Sequence, residues 1–149
     1  MTQAVLPRGA RWGLAAKPRA LTWWLWSVTA VLLLTGLFFD ERFRVFAMAL
    51  SVAQAVVWLA RYRSLGNFPT QVRVAYVAWM AASFLPGFAP FFWIQTLGTT
   101  SLVTVGYCPL ARLLLLLPSN RSVPLTVARV WRIISHPPTQ GSVRQELRI

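Results

Sequence analysis

The chain has 149 residues, of which 56% are hydrophobic and only 12% charged, and its formal net charge is +12. A soluble domain carries charge on about a quarter of its residues, and a chain this short cannot hide so much apolar sequence in one core. A nucleic-acid binder would gather its cations on one face with aromatics interleaved; here the arginines flank apolar runs, so nucleic acid is excluded as the expected partner.

Residues 1–19 carry Arg8, Arg11, Lys17 and Arg19 among Pro7, Gly9, Gly13 and Pro18, and read as a basic leader. The apolar run from Ala20 to Phe39 is too long for the core of a signal peptide, about 7–15 residues, and no small-residue cleavage site follows it. It reads as a retained first span, with Trp23, Trp24 and Trp26 at its entry interface. Asp40, Glu41, Arg42 and Arg44 then form a solvated charge cluster in the turn.

A second span is expected over Val45–Ala60, with Arg44 and Arg61 snorkelling at its ends. Ala47, Ser51 and Ala55 recur at every fourth position, as do Ala49 and Ala53, and such stripes let helices approach closely in lipid. Gln54, the only amide in this span and a candidate functional residue, is expected to hydrogen-bond to a neighbouring helix, the alternative being a substrate contact.

From Val74 to Ala111 no charge appears. As one helix that run would reach roughly 57 Å, well beyond one bilayer. Pro86-Gly87-Phe88-Ala89-Pro90 must therefore turn it, giving a third span over about Val74–Leu85, with a further turn expected ahead of it, and a fourth over Phe91–Leu110. Phe88, Phe91, Phe92 and Trp93 make an aromatic belt, and Gly98, Thr99, Thr100, Ser101 and Thr104 suit a helix–helix interface. Past Arg121, Ser122 caps a short helix with Pro124 near its first turn. Within it Val127, Val130, Trp131 and Ile134 fall on one side and Arg129 and Arg132 on the other, the pattern of a cationic amphipathic helix lying in the interface. Residues 137–149 read as a disordered tail.

The arginines fall on alternate connections. With both termini on one side, that side holds the four leader cations, then Arg61, Arg63 and Arg73, then Arg112, Arg121, Arg129, Arg132, Arg144 and Arg148. The other holds only Arg42 and Arg44. Such asymmetry places both termini in the cytoplasm of a multi-pass inner-membrane protein, in contact with anionic headgroups.

Two residues near the end of the fourth span are candidate functional groups. Cys108 is the only cysteine, so no intrachain disulfide forms. If the helix runs on through Pro109, Arg112 shares its face and would lower the thiol pKa toward a nucleophilic thiolate. The bland alternative is a small buried residue beside a proline. Arg112 itself is either an anion-attracting charge or a snorkelling anchor. No ligand set for a metal and no cradle for a cofactor is legible, and catalytic residues are not assigned.

Gly106 to Arg121 reads GYCPLARLLLLLPSNR. Through Gly106, Tyr107, Cys108, Pro109, Ala111, Leu113, Leu114, Pro118 and Asn120 it resembles the close of the YgaP-like transmembrane hairpin, a small bacterial inner-membrane domain found alone or fused to rhodanese domains. Gln71-Val72-Arg73 resembles the basic entry of that hairpin; Ser119 and Leu117 depart from its usual aromatic and methionine. The resemblance spans about Phe68 to Arg121. It implies an inner-membrane location and a link to sulfur metabolism, with rhodanese partners and small sulfur anions such as thiocyanate.

The sequence thus leads to an all-α, polytopic membrane fold. Four transmembrane helices in two hairpins occupy 20–121, and a cytoplasmic amphipathic helix 122–136. The expected role is a non-catalytic accessory or anchoring component of a membrane assembly, working with a membrane-protein partner or as a homo-oligomer. The alternatives are a conduit for small anions such as thiocyanate and, third, a thiol role for Cys108.

Overall fold

The computed structural model describes residues 21–120 and 124–138. The basic leader, the Ser122 cap and the tail from residue 139 lie outside the described residues. Among those described there is no strand, and six α-helices follow in order: α1 (Leu21–Phe38), α2 (Arg42–Tyr62), α3 (Phe68–Ala82), α4 (Ala89–Val105), α5 (Pro109–Leu114) and α6 (Val127–Ser135), with a 3-10 turn at Pro118–Asn120. Two of them, α1 and α2, are long and apolar enough to cross a membrane.

The helix ends follow from local chemistry. The N–H groups of Phe39 and Asp40 both donate to Thr35 O, closing α1. The Asp40 carboxylate accepts from the Arg42 N–H at 2.9 Å, so α2 starts three residues earlier than expected. It runs to Tyr62 and stops where Arg63 takes the left-handed conformation, its N–H bonded to Leu59 O at 2.7 Å. In α3 and α4 a proline stands in the first turn, where its missing N–H costs nothing. The expected fourth span to Leu110 is cut short. Gly106 has φ 80° and returns its N–H to Leu102 O, a left-handed cap that ends α4 at Val105.

The four long helices pack in ring order, α1 on α2, α2 on α3, α3 on α4 and α4 back on α1, with the α3–α4 seam the loosest. Trp26, Leu33, Ala47, Tyr76, Met80 and Phe92 form the central apolar cluster. Two residues expected in aromatic belts are therefore interior. Trp26 meets Tyr76 edge-to-face at 4.8 Å, and Phe92 lies 4.4 Å beneath the Arg44 guanidinium. Arg44 turns inward, donating also to Ser83 O at 3.4 Å, rather than joining a solvated cluster with Asp40 and Glu41.

The distribution of side chains departs from that of a water-soluble bundle. Among the described residues, buried polar and charged side chains number eleven against ten buried hydrophobic ones, so burial does not follow apolarity. Val28, Val31, Phe46, Val56, Val57, Ile94 and Leu97 face outward. The interior hydroxyls return their protons to carbonyls one turn back, as Ser51 does to Ala47, Thr96 to Phe92 and Thr99 to Gln95.

The two ends of the bundle differ. Trp23 Nε1 donates to Val103 O, joining the start of α1 to the end of α4, and α5 and α6 pack at that same end. Arg61, Arg63, Arg112, Arg129 and Arg132 are all found there, whereas the Phe38–Trp93 contact marks the opposite end, with Arg42 and Arg44.

Gly36 sets the α1–α2 approach, because a Cβ there would lie 2.9 Å from Arg44 Cγ and 3.0 Å from its backbone N. Gly36→Ala should destabilise the fold by about 1–3 kcal/mol through overpacking. A lowered Tm of the detergent-solubilised protein would register it, with Gly87→Ala as the comparison for a glycine whose cost is backbone strain at φ 85° and not a close neighbour.

Candidate functional site

The described part of the stretch singled out by sequence, Gly106–Asn120, builds a fastening unit at the basic end of the bundle. Gly106 reverses the chain, and Cys108 then becomes the N-cap of α5: its Sγ accepts from the Ala111 N–H at 3.4 Å, with Pro109 in the first turn. The helix therefore does not run through Pro109, and Cys108 does not share a helix face with Arg112. The Cys108 thiol lies in the connection between α4 and α5. Burial pushes its pKa above the ordinary thiol value, outweighing the opposing pull of the Ala111 and Leu110 N–H groups and of Arg112. A neutral, capped thiol is the opposite of an activated nucleophile.

Arg112 is neither a snorkelling anchor nor an open anion site. It is 1% exposed, and its two terminal nitrogens donate to Ile133 O at 2.5 Å and to Pro137 O at 3.0 Å. Its guanidinium also lies 4.2 Å from the Tyr107 ring, whose hydroxyl donates to Ile134 O at 2.8 Å. Together the two side chains hold the carbonyl end of α6, where the helix dipole favours a cation. Pro137 and Pro138, expected in the disordered tail, are ordered by this contact, and Pro138 is buried. Further on, the Asn120 amide donates to Gln71 Oε1 at 2.6 Å and to Leu114 O at 2.9 Å, tying the chain to the start of α3. Leu115 and Ile133 form a second small core beneath Phe68 and Leu116.

The amphipathic helix is thus partly packed. Ile133 is its buried contact, while Val127, Trp131 and Ile134 stay exposed on another side. Arg129 donates to Pro124 O, and its backbone N–H is capped by Thr126; Arg132 is exposed.

Among the packing residues, Ala47 and Ser51 are buried between helices, Ser51 reaching Met80 Sδ at 4.0 Å, and Ala55 is half-buried. The second stripe, Ala49 and Ala53, is exposed. Gln54 meets its expected neighbour across the α1–α2 seam, donating to Thr29 Oγ1 at 3.3 Å. Arg73 belongs inside α3 rather than to the basic connection: its guanidinium lies 3.8 Å from the Trp58 ring and 5.7 Å from Trp26, and donates to Pro69 O. The signal for it was present, since Trp58 and Trp26 are the kind of ring that receives a guanidinium. Their spatial meeting was not.

Sequence reading missed the concavities. The loose α3–α4 seam opens a narrow cleft of about 60 Å³, whose floor is Trp26, Tyr76, Gln95 and Thr99 and whose wall is Cys108, Pro109 and Leu113; a larger hollow of about 310 Å³ lies at the opposite end, lined by Gly36, Asp40, Glu41, Arg44 and Trp93. None of the side chains lining the α3–α4 cleft is charged. Among the described residues, no group of three or more His, Cys, Asp or Glu side chains converges to hold a metal.

No family model matches the chain, and neither a curated protein nor a solved structure matches it.

Two measurements test the fastening unit. Arg112→Met should release α6, read as a large rise in backbone hydrogen exchange over residues 127–135 with little change in α1 and α2. Alkylation of Cys108 should be slow at pH 7 beside a free thiol and should still be climbing with pH above the usual thiol range, because the reactive anion is disfavoured by burial.

Proposed function

We propose that this chain is a polytopic bacterial inner-membrane protein with four spans, α1 to α4, and that it serves as a non-catalytic accessory or anchoring component of a membrane assembly. The observation that carries the reading is the distribution of side chains, large apolar residues across the outer surface and an interior about half polar. In water such a surface would drive aggregation; in hydrocarbon it is solvated, and the interior hydroxyls and amides become the attractive contacts between helices.

Helices α3 and α4, at 15 and 17 residues, are short for a bilayer. The turns after Ala82, bonded from Phe84 to Ala81 and Leu85 to Ala82, lengthen α3, and local thinning accommodates the remainder. The clustering of arginines at one end supports cytoplasmic termini, and the exposed Val127, Trp131 and Ile134 stripe suits the headgroup boundary, with Arg132 toward lipid phosphates.

The non-catalytic part of the reading rests on what the singled-out residues do. Cys108 caps a helix, Arg112 and Tyr107 hold α6, Asn120 holds Gln71, and Gln54 joins two helices. These are architectural tasks. The alternative, a conduit for small anions such as thiocyanate, has no specific observation in its favour, because Arg112 is turned onto carbonyls and the α3–α4 cleft carries no charge. A sulfur-linked partner rests on the resemblance of Gly106–Arg121 alone.

Reporter fusions test the topology. A cytoplasm-dependent fluorescent reporter should be active at both termini, and an export-dependent phosphatase should be active at residues 40 and 87. Phosphatase activity at either terminus would end the four-span reading. Affinity purification in mild detergent should recover a defined membrane partner or a homo-oligomer; a lone monomer would count against the accessory role.

A further inference from the structure

We propose that the α3–α4 cleft is a binding site for a membrane-dissolved molecule with an apolar body and one hydroxyl donor, an alkylphenol or a comparable alcohol. Three observations lead there. First, the cleft is narrow, about 60 Å³, so it seats the hydroxyl end of a ligand while the apolar body lies along its open mouth. Its floor is buried, whereas Ile94 and Leu113 at the mouth are 52% and 48% exposed, so it opens on the outward, apolar side of the bundle.

Second, the polar groups of the floor spend their donors within it. Thr99 Oγ1 spends its single proton on Gln95 O at 2.7 Å, so in the 2.8 Å pair with Tyr76 Oη the phenol must be the donor. The Gln95 amide is the other partner of the Tyr76 hydroxyl. Third, Gln95 Nε2 donates to Tyr76 O at 3.4 Å, an assignment the reversed amide could not satisfy because it would oppose two oxygens. That orientation leaves Gln95 Oε1 without a partner on a side chain only 5% exposed. An unpaired buried amide oxygen is costly. A donor arriving with an apolar body that lies along the mouth removes the cost, and a small rotation of the amide brings the oxygen to it.

A charged ligand is disfavoured because the lining has no countercharge, and a ligand bearing only acceptors would face the lone pairs of Gln95 Oε1. The membrane reading supplies the route of entry only; occupancy itself is measured on the whole protein in detergent, so failure of either is visible separately.

Cys108, the only cysteine, lies in the wall and reports occupancy. The rate of its alkylation by N-ethylmaleimide is followed against increasing 4-pentylphenol and against its methyl ether, 4-pentylanisole, which has the same body and no donor. The phenol should protect at about tenfold lower concentration than the ether, the difference expected for pairing one buried acceptor. In Gln95→Leu the two curves should coincide. Gly98→Leu, which projects a side chain from α4 toward Pro109, should abolish protection by both. A Tm close to the parent's confirms that each variant is folded, and Gln95→Leu alone suffices if Gly98→Leu does not fold. Equal protection by phenol and ether would reduce the site to a hydrocarbon groove and overturn the proposal. So would no protection by either, or a tenfold preference that survives in Gln95→Leu.

Discussion

Polar side chains in the interior of this bundle have to find their partners within it, and the way they do so sets where the helices stand. Gln54 joins α2 to α1 through Thr29, Tyr76 joins α3 to α4 through Thr99, and Arg73 brings α1, α2 and α3 together by lying between the indoles of Trp58 and Trp26. Hydrophobic burial cannot provide that specificity where the surroundings are as apolar as the side chains. Directional contacts can, and they are also why the hydroxyls on α4 bond back to their own helix.

The same constraint explains the fastening unit. A six-residue helix and a nine-residue helix are too short to be stable alone. They persist because their orphaned carbonyls and N–H groups are met by particular side chains. Cys108 and Thr126 serve the amino ends, and Arg112 with Tyr107 the carbonyl end of α6. A residue that looks like chemistry in the sequence is, in three dimensions, the solution to an unsatisfied backbone. This also separates the two regions of interest: the fastening unit turns its donors onto its own carbonyls, whereas the neighbouring cleft keeps an acceptor in reserve beside an opening.

The loose α3–α4 seam is a consequence of how the space is shared. Pro109 lies against Gly98, with 3.6 Å between the proline ring and where a Cβ would stand, so α5 rather than α3 covers part of α4. The glycine admits the returning chain, and the chain then props the seam open above it. Trp79, stacked on Phe91 at 4.6 Å and donating to its carbonyl, closes the far end of the seam.

Sequence alone determined the helical class, the approximate bounds of α1, the proline-glycine break before α4, the uneven placement of arginines and the Gln54 contact, because each is a local or periodic property of the chain. It misjudged those features that depend on what a side chain meets across space. Trp26 and Phe92 looked like interfacial aromatics and are core; Arg44, Arg73 and Arg112 looked like boundary charges and are turned inward. Cys108 stood open between an activated thiol and a small buried residue beside a proline, and in the fold it is a cap. Only the tertiary structure could decide these, since an arginine seeks carbonyls and aromatic faces wherever the fold supplies them. The cleft was illegible for the same reason: it is an absence of packing between two helices, and no residue type encodes a gap.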